Sequence, residues 1–157
     1  MSKDQQQQST SIVIPAYNES AAIAHTLQDL CTEPFLSDAE IIVVDDGSSD
    51  DTSARVAEFP RVRLIRHRVN RGYGASLLTG MRAATAQYIA WFDADGQHEV
   101  ADLVHVLNTL IENDLDYVIG VRENVKNDAP IVSQYGLNRE GSADMYYKGG
   151  NMLHTIR

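Results

Sequence analysis

Apolar residues in this chain fall into five short β-branched or aromatic runs, separated by stretches whose apolar positions repeat at helical spacing. Ser11-Ile12-Val13-Ile14-Pro15 is ended by proline and reads as a first strand; Ile23, Leu27 and Leu30 then fall at i, i+4 and i+7, one face of a helix that Asn18 or Ser20 is placed to cap. Glu40-Ile41-Ile42-Val43-Val44 predicts a second, buried strand. Asp50-Asp51-Thr52 opens a short helix whose acidic first turn complements its dipole, and Pro60 stops it. Val62-Arg63-Leu64-Ile65-Arg66 alternates as a third strand with one wet face, and a small-residue helix runs through Leu78, Met81 and Ala84. Tyr88-Ile89-Ala90-Trp91-Phe92 is a fourth strand, Leu103, Val106, Leu107, Leu110 and Ile111 mark the next helix, and Leu115-Asp116-Tyr117-Val118-Ile119-Gly120-Val121 supplies a fifth strand.

Strands alternating with helices predict an α/β fold, a mostly parallel sheet with right-handed crossovers and helices on both faces. Residues 1–10 are polar and Gln-rich and read as a disordered tail, 11–122 as one core. Residues 123–157 are polar and broken by Pro130, Gly136, Gly141, Gly149 and Gly150; they read as an irregular segment with a marginal helix near residues 144–156.

Composition narrows the function classes. A length of 157 residues suits one domain with a single core, and no apolar run approaches the ~20 residues needed to cross a bilayer. The tail has no apolar stretch of the secretory kind, and the one cysteine, Cys31, sits in an amphipathic helix and reads as a buried, inert thiol; both suggest a reducing, cytoplasmic location. A net charge of −9, from 22 acidic and 13 basic residues, argues against nucleic acid as a partner. The basic cluster Arg61, Arg63, Arg66, His67, Arg68 and Arg71 reads first as a solvated strand edge and second as a patch for phosphate or lipid headgroups.

Candidate chemistry gathers where strands stop. The first, second and fourth strands end in Pro-x-Tyr-Asn-Glu, Asp-Asp-Gly-Ser and Asp-x-Asp-x-Gln, and in a parallel sheet these ends face one crevice. At least five carboxylates (Glu19, Asp45, Asp46, Asp93 and Asp95) would then converge, which is unfavourable unless a cation or hydrogen-bond donors offset them. Asp93-Ala94-Asp95 suits a hard divalent cation, which takes one or two carboxylates and leaves the rest of its shell to water and phosphate oxygens. The plainer alternative is a capped turn ahead of the helix beginning near Glu99. Asn70-Arg71-Gly72-Tyr73-Gly74 lacks the third glycine of a dinucleotide fingerprint and follows the wrong strand; its glycines instead suit a close backbone approach. His98 reads as a solvated turn histidine, and the other histidines form no metal-ligand spacing.

Val13-Ile14-Pro15-Ala16-Tyr17-Asn18-Glu19, Val43-Val44-Asp45-Asp46-Gly47-Ser48-Ser49-Asp50, Asn70-Arg71-Gly72-Tyr73-Gly74-Ala75, Asp93-Ala94-Asp95-Gly96-Gln97-His98 and Val118-Ile119-Gly120-Val121-Arg122 resemble, in order and spacing, the inverting family 2 glycosyltransferases of GT-A fold. Within that family they are most similar to the polyprenyl-phosphate sugar transferases. The resemblance implies a metal-dependent transfer, with Mg²⁺ or Mn²⁺ as cofactor, from a nucleotide-sugar donor such as GDP-mannose or a UDP-hexose. The implied acceptor is a polyprenyl phosphate, or a glycan in hydroxyl-directed relatives, with peripheral contact at the cytosolic face of a membrane. It places Pro15, Tyr17 and Glu19 around base and ribose, and Val44 with Asp46, and the adjacent Asp45, at the base. It places Asp93 and Asp95 at metal and diphosphate as the catalytic carboxylates, Ala94 between them against the nucleotide, Gln97 on the metal side, and Arg122 at the phosphates of donor or acceptor.

Downstream of Arg122 there are Glu123, Asp128, Glu140 and Asp144 but no adjacent Glu-Asp pair of the kind hydroxyl-directed relatives carry, which favours the phosphate acceptor. Relatives continue past the fifth strand with a further strand–helix segment, so the chain reads as short on its acceptor side, and nucleotide-sugar binding without turnover is an alternative. A phospho-acceptor signalling module would need a lysine ending the last strand, whereas Lys126 and Lys148 fall in the irregular segment.

Overall fold

The computed structural model describes residues 9–121, with the backbone of 133–137 and 152–156. Its elements are β1 (Thr10–Ala16), α1 (Ile23–Thr32), β2 (Glu40–Asp45), α2 (Thr52–Ala57), β3 (Val62–Arg66), α3 (Tyr73–Ala83), β4 (Tyr88–Trp91), α4 (Val100–Glu112), β5 (Tyr117–Val121), β6 (Ser133–Leu137) and β7 (Met152–Ile156). One sheet joins the strands in the order β3-β2-β1-β4-β7-β5-β6. The first four are parallel, β7 runs antiparallel to both β4 and β5, and β6 is antiparallel to β5.

Period-two alternation sorts the strand side chains into two layers. In register, Ile12 lies beside Ile41 and Ala90, and Ile14 beside Val43. These five are fully or almost fully buried in one cluster with Leu27 and Leu30 of α1, Val56 of α2, and Leu103, Val106, Leu107 and Leu110 of α4. The other face, carrying Val13, Ile42 and Val44, takes α3. There the helix comes close because Gly80 has no side chain: a Cβ at that position would lie 2.2 Å from Val13 Cγ1.

Three expectations change. The helix near 144–156 is, over its described part, the strand β7: Met152–Ile156 slots between β4 and β5, pairing Trp91 with His154 and Val118 with Thr155. Inserting a strand satisfies the backbone groups of two open edges at once, which a single marginal helical turn cannot do. The polar tail ends sooner than residue 10, since Thr10 is buried and begins β1; residues 1–8 lie outside the described ones. Neither Asn18 nor Ser20 caps α1, whose N-cap is Ala22 without a side-chain bond. Instead Asn18 Oδ1 accepts from Ser49 N at 2.9 Å, and Ser20 N donates to Asp50 Oδ2 at 3.1 Å. The capping groups thus tie two loops together.

The basic cluster is the solvated edge the sequence suggested: β3 is an outer strand, and Arg61, Arg63, Arg66, Arg68 and Arg71 are exposed, with His67 alone buried. The Arg61 guanidinium donates to the Cys31, Leu36 and Ala39 carbonyls, Arg63 to the Ala83 carbonyl, and Arg66 to the Ser48 carbonyl. Cys31 is half-buried; burial pushes its thiol pKa up and the nearby Arg61 charge only partly offsets that. No helix among the described residues is long and apolar enough to cross a membrane.

Candidate functional site

At the carboxyl ends of β1, β2 and β4 lies a cleft of about 360 Å³, lined by Pro15, Ala16, Tyr17, Glu19, Asp46, Asn70, Gly72, Tyr73, Ser76, Asp93, Ala94 and Asp95. Its position follows from the parallel topology, which sends the loops after these strands to one edge.

The pair Asp45-Asp46 shows how the sheet assigns roles to neighbours. Asp45 ends β2 in register with Ala16, on the α1/α2 layer, and is fully buried. Its Oδ1 accepts from Ser48 N at 2.8 Å, and its Oδ2 takes the Ser53 hydroxyl and an ion pair with Arg66 at 3.3 Å. Asp45 holds the loop and does not line the cleft. One residue on, Asp46 points to the α3 layer and into the cleft. His67 Nδ1 lies 2.6 Å from its Oδ1, Arg71 N donates to the same oxygen at 2.9 Å, and Gly72 N donates to Oδ2 at 2.7 Å. Because the carboxylate can only accept, His67 is the Nδ1–H donor, and its Nε2 meets Thr79 Oγ1 at 2.9 Å. Burial would raise the Asp46 pKa, but these three donors outweigh it and hold the group below the ordinary aspartate range.

The loop after β1 is fastened to the loop after β2. Asn18 N donates to Ser48 Oγ and Glu19 N to Thr52 Oγ1, each at 2.9 Å, and Asp46 N donates to the Ala16 carbonyl at 2.8 Å. Asn18 sits at φ 55°, a left-handed conformation that asparagine tolerates. This placement brings the Glu19 carboxyl toward the acidic side chains. Its pKa is raised by burial first, then by the charges of Asp95, Asp50 and Asp93.

Beyond β4 the alternation continues: Phe92 and Ala94 are buried with the core cluster, while Asp93 faces the cleft. Asp93 Oδ1 accepts from the Tyr73 hydroxyl at 2.8 Å, and its Oδ2 lies 3.2 Å from His98 Nε2. Tyr73 is raised above the ordinary tyrosine range by burial, then by the charge and hydrogen bond of Asp93 and the charge of Asp95. Asp95 is exposed, and Gln97 N donates to its Oδ1 at 2.9 Å in a local turn. Thr26 Oγ1 of α1 holds the Ala94 carbonyl at 3.4 Å.

Of the residues singled out in the sequence, the structure brings Pro15, Tyr17, Glu19, Asp46, Asp93, Ala94 and Asp95 to one cleft. Four carboxylates meet there rather than five, because Asp45 is turned to the opposite layer. Val44 is fully buried beside Pro15 and does not reach the lining. Gln97 is exposed and reaches the site through its backbone. Arg122 lies outside the described residues. Asn70, Gly72 and Tyr73 line the cleft from the motif at residues 70–75, whose side chains were given no site role in the sequence, and Ser76 and the buried His67 escaped that reading altogether. His98 is buried against Phe92 beside Asp93 rather than solvated. Alternation carried past the strand ends would have separated Asp45 from Asp46; nothing in the sequence marks His67 or His98 as buried.

Among the described residues no three His, Cys, Asp or Glu side chains are grouped to hold a metal ion by themselves. The lining still fits a hard cation of the Mg²⁺ class, since its charged groups are all carboxylates. Such ions take one or two carboxylates and complete their shell with phosphate oxygens.

Sheet order, parallel core and acid-lined cleft define the GT-A glycosyltransferase fold. A solved mannosyltransferase from Pyrobaculum calidifontis, in complex with GDP-Man and Mn²⁺, shares it with a TM-score of 0.61 over 69% of this chain and 34% of its own, at 24% identity. The chain belongs to glycosyl transferase family 2, whose family model matches residues 11–154. It is 33% identical to UDP-N-acetylglucosamine–dolichyl-phosphate N-acetylglucosaminyltransferase of Methanococcus voltae, over 74% of this chain and 52% of that one. It is 31% identical to dolichyl-phosphate beta-glucosyltransferase of Dictyostelium discoideum, over 73% of this chain and 40% of that one. The chain spans about half the length of the curated relatives it matches.

Proposed function

We propose that this chain binds the nucleotide-sugar donor, GDP-mannose or a UDP-hexose, for an inverting, metal-dependent transfer to a polyprenyl phosphate. The observation that carries the reading is the composition of the cleft: four carboxylates and, among the described residues, no Lys, Arg or His in its lining. A diphosphate enters such a cleft only with a cation between it and the acids. The two dolichyl-phosphate transferases named above support the acceptor class.

In this reading Asp46 accepts an N–H of the base, Pro15 and Tyr17 pack against base and ribose, and Glu19 accepts from a ribose hydroxyl. Asp93 and Asp95 hold Mg²⁺ or Mn²⁺, and Gln97 shapes the turn that aims Asp95. The ion, when bound, supplies positive charge to the departing nucleoside diphosphate. The Tyr73 hydroxyl orients Asp93 from the α3 side. Arg122 neutralises phosphate of donor or acceptor. A phosphate monoester acceptor is already ionised and needs no general base, whereas a glycan hydroxyl would. With a lipid-linked acceptor the working enzyme would sit against a membrane face, which this reading takes to be the cytosolic one.

A second reading is donor binding without turnover, since the described cleft supplies contacts for a donor irrespective of any acceptor. Thermal shift with GDP-mannose, UDP-glucose and UDP-N-acetylglucosamine, with and without Mn²⁺, tests both readings alongside a transfer assay to polyprenyl phosphate. Metal-dependent stabilisation with transfer supports the first, stabilisation without transfer supports the second, and no stabilisation by any donor removes both.

A further inference from the structure

His98 is a buried polar side chain beside the cleft to which the donor-binding reading gives no task. The turn over residues 95–97, with Gly96 at φ 74° and Gln97 N donating to Asp95 Oδ1, folds the chain back so that residue 98 returns to the end of β4. There the imidazole is 1% exposed, rests on the buried Phe92 ring with centroids 5.7 Å apart, and brings Nε2 to 3.2 Å from Asp93 Oδ2. An ionised carboxylate can only accept, so the ring carries a proton on Nε2 and donates it to Asp93. Nδ1 is buried and has no hydrogen-bond partner among the described residues.

That orphan nitrogen separates packing from positioning. Contact with Phe92 needs only an apolar ring, and burying Nδ1 without a partner forfeits the hydration it would keep in water. Such a cost is accounted for by what the other nitrogen does. The same geometry turns neither nitrogen toward a cation: Nε2 is engaged by Asp93, and Nδ1 is enclosed by protein.

Asp93 lies beyond the end of β4, so the sheet ladder does not hold its side chain. One hydrogen bond lets a carboxylate swing about the bonded oxygen, whereas bonds to both oxygens from different elements fix its plane. Tyr73 of α3 donates to Oδ1 at 2.8 Å, and His98, from the turn that follows Asp93, donates to Oδ2. In the donor-binding reading, on which this inference rests, Asp93 holds the cation. We propose that His98 is a positioning residue for that cation: together with Tyr73 it sets the plane of the Asp93 carboxylate before the ion arrives.

Electron paramagnetic resonance of Mn²⁺ with the full chain and UDP or GDP tests this, since the signal of the free ion reports affinity without turnover. His98→Phe keeps a ring against Phe92 and removes both nitrogens, while His98→Gln returns an N–H donor near the place of Nε2. His98→Phe is expected to keep or raise the ligand-free Tm and to bind Mn²⁺ roughly tenfold more weakly, the scale of losing a hydrogen bond that orients a metal-ligating carboxylate. His98→Gln is expected to recover most of that loss. Tyr73→Phe is expected to cost a similar factor, and Tyr73→Phe with His98→Phe scarcely more than either alone, because releasing one oxygen already loosens the plane. Unchanged Mn²⁺ affinity in His98→Phe, or losses that simply multiply in the double variant, overturns the positioning role and leaves the donor-binding reading standing. A lowered Tm in His98→Phe with no recovery in His98→Gln assigns the ring to packing and overturns it equally. Failure of the wild type to bind Mn²⁺ with either nucleotide removes the metal-dependent reading itself, and this inference with it.

Discussion

The two ends of the cleft are built differently. Around Asp46 the carboxylate is almost fully buried, takes three donors and is braced through His67 to Thr79 of α3. Around Asp93 and Asp95 the groups are more open: Asp95 is exposed, and Tyr73, which donates to Asp93, is itself half-exposed. One end is finished by the protein alone. The other gathers the Glu19, Asp93 and Asp95 carboxylates, and the Glu19 pKa is raised by burial first and by the Asp95, Asp50 and Asp93 charges after it. A rigid reader beside an unfinished charge site suits a ligand that brings its own counter-ion, because the protein fixes the orientation and the ligand completes the electrostatics.

Two glycines with nearly the same backbone angle give the largest test of this contrast. Gly47, at φ 76°, backs onto the loop that feeds Asp46, and a Cβ there would lie 2.8 Å from the Val69 carbonyl carbon and 2.9 Å from Asn70 N. Gly96, at φ 74°, follows Asp95, and its Cβ would find only Ala22 Cβ at 3.9 Å. Both alanine variants meet the left-handed penalty of about 1–2 kcal/mol, but Gly47→Ala must also move backbone. Urea unfolding is expected to show a loss of about 2–5 kcal/mol for Gly47→Ala and about 1–2 kcal/mol for Gly96→Ala. Equal losses would show that the two ends are equally packed.

Asp93→Asn comes next. In the wild type, Mn²⁺ with a nucleotide sugar at a hundredfold excess over its Kd is expected to add roughly 2–3 kcal/mol of stability, read as a rise in Tm. The variant should lose that metal-dependent part and keep its ligand-free Tm within a few degrees.

Acid titration separates the ends by sign. The folded-state pKa of Asp46 lies below its unfolded value, so its contribution to stability is complete above about pH 4. It disappears as pH falls through the folded value. Asp46→Asn should therefore flatten the acid limb of the stability curve, with a loss at pH 7 of about 1–3 kcal/mol from the weakened charge-assisted bonds.

Glu19 has the opposite sign and the smallest effect. Its raised folded pKa means that ionisation opposes folding at neutral pH, and the penalty grows as pH rises from about 4 through the folded value. Glu19→Gln is expected to stabilise the ligand-free protein at pH 7 by a few tenths of a kcal/mol and to change nothing below about pH 4. A destabilised Glu19→Gln protein would mean that the acidic end is already compensated.

The sequence revealed most where period and burial coincide. Val62–Arg66 is the strand its alternation predicted, and the helix around Leu103, Val106, Leu107 and Leu110 buries those residues. Pro15, Tyr17, Glu19, Asp46, Asp93, Ala94 and Asp95 meet because parallel strands deliver their carboxyl ends to one edge, a rule of topology readable from the order of elements. What stayed hidden depended on distant partners. His67 follows an exposed arginine and looks solvated, and only the return of the chain through α3 places Thr79 at its other nitrogen. Met152–Ile156 has too short a run to declare itself, and its strand character comes from the two edges it fills.

That insertion sets a timetable for synthesis. β4, which delivers the Asp-Ala-Asp turn, is made with one margin bare, and the segment that will cover it emerges about sixty residues later. At typical ribosomal speeds the nascent chain spends several seconds with an unprotected template for intermolecular pairing. During that interval the cell must shield the growing polypeptide, or crowd it little enough that two copies do not zip together first.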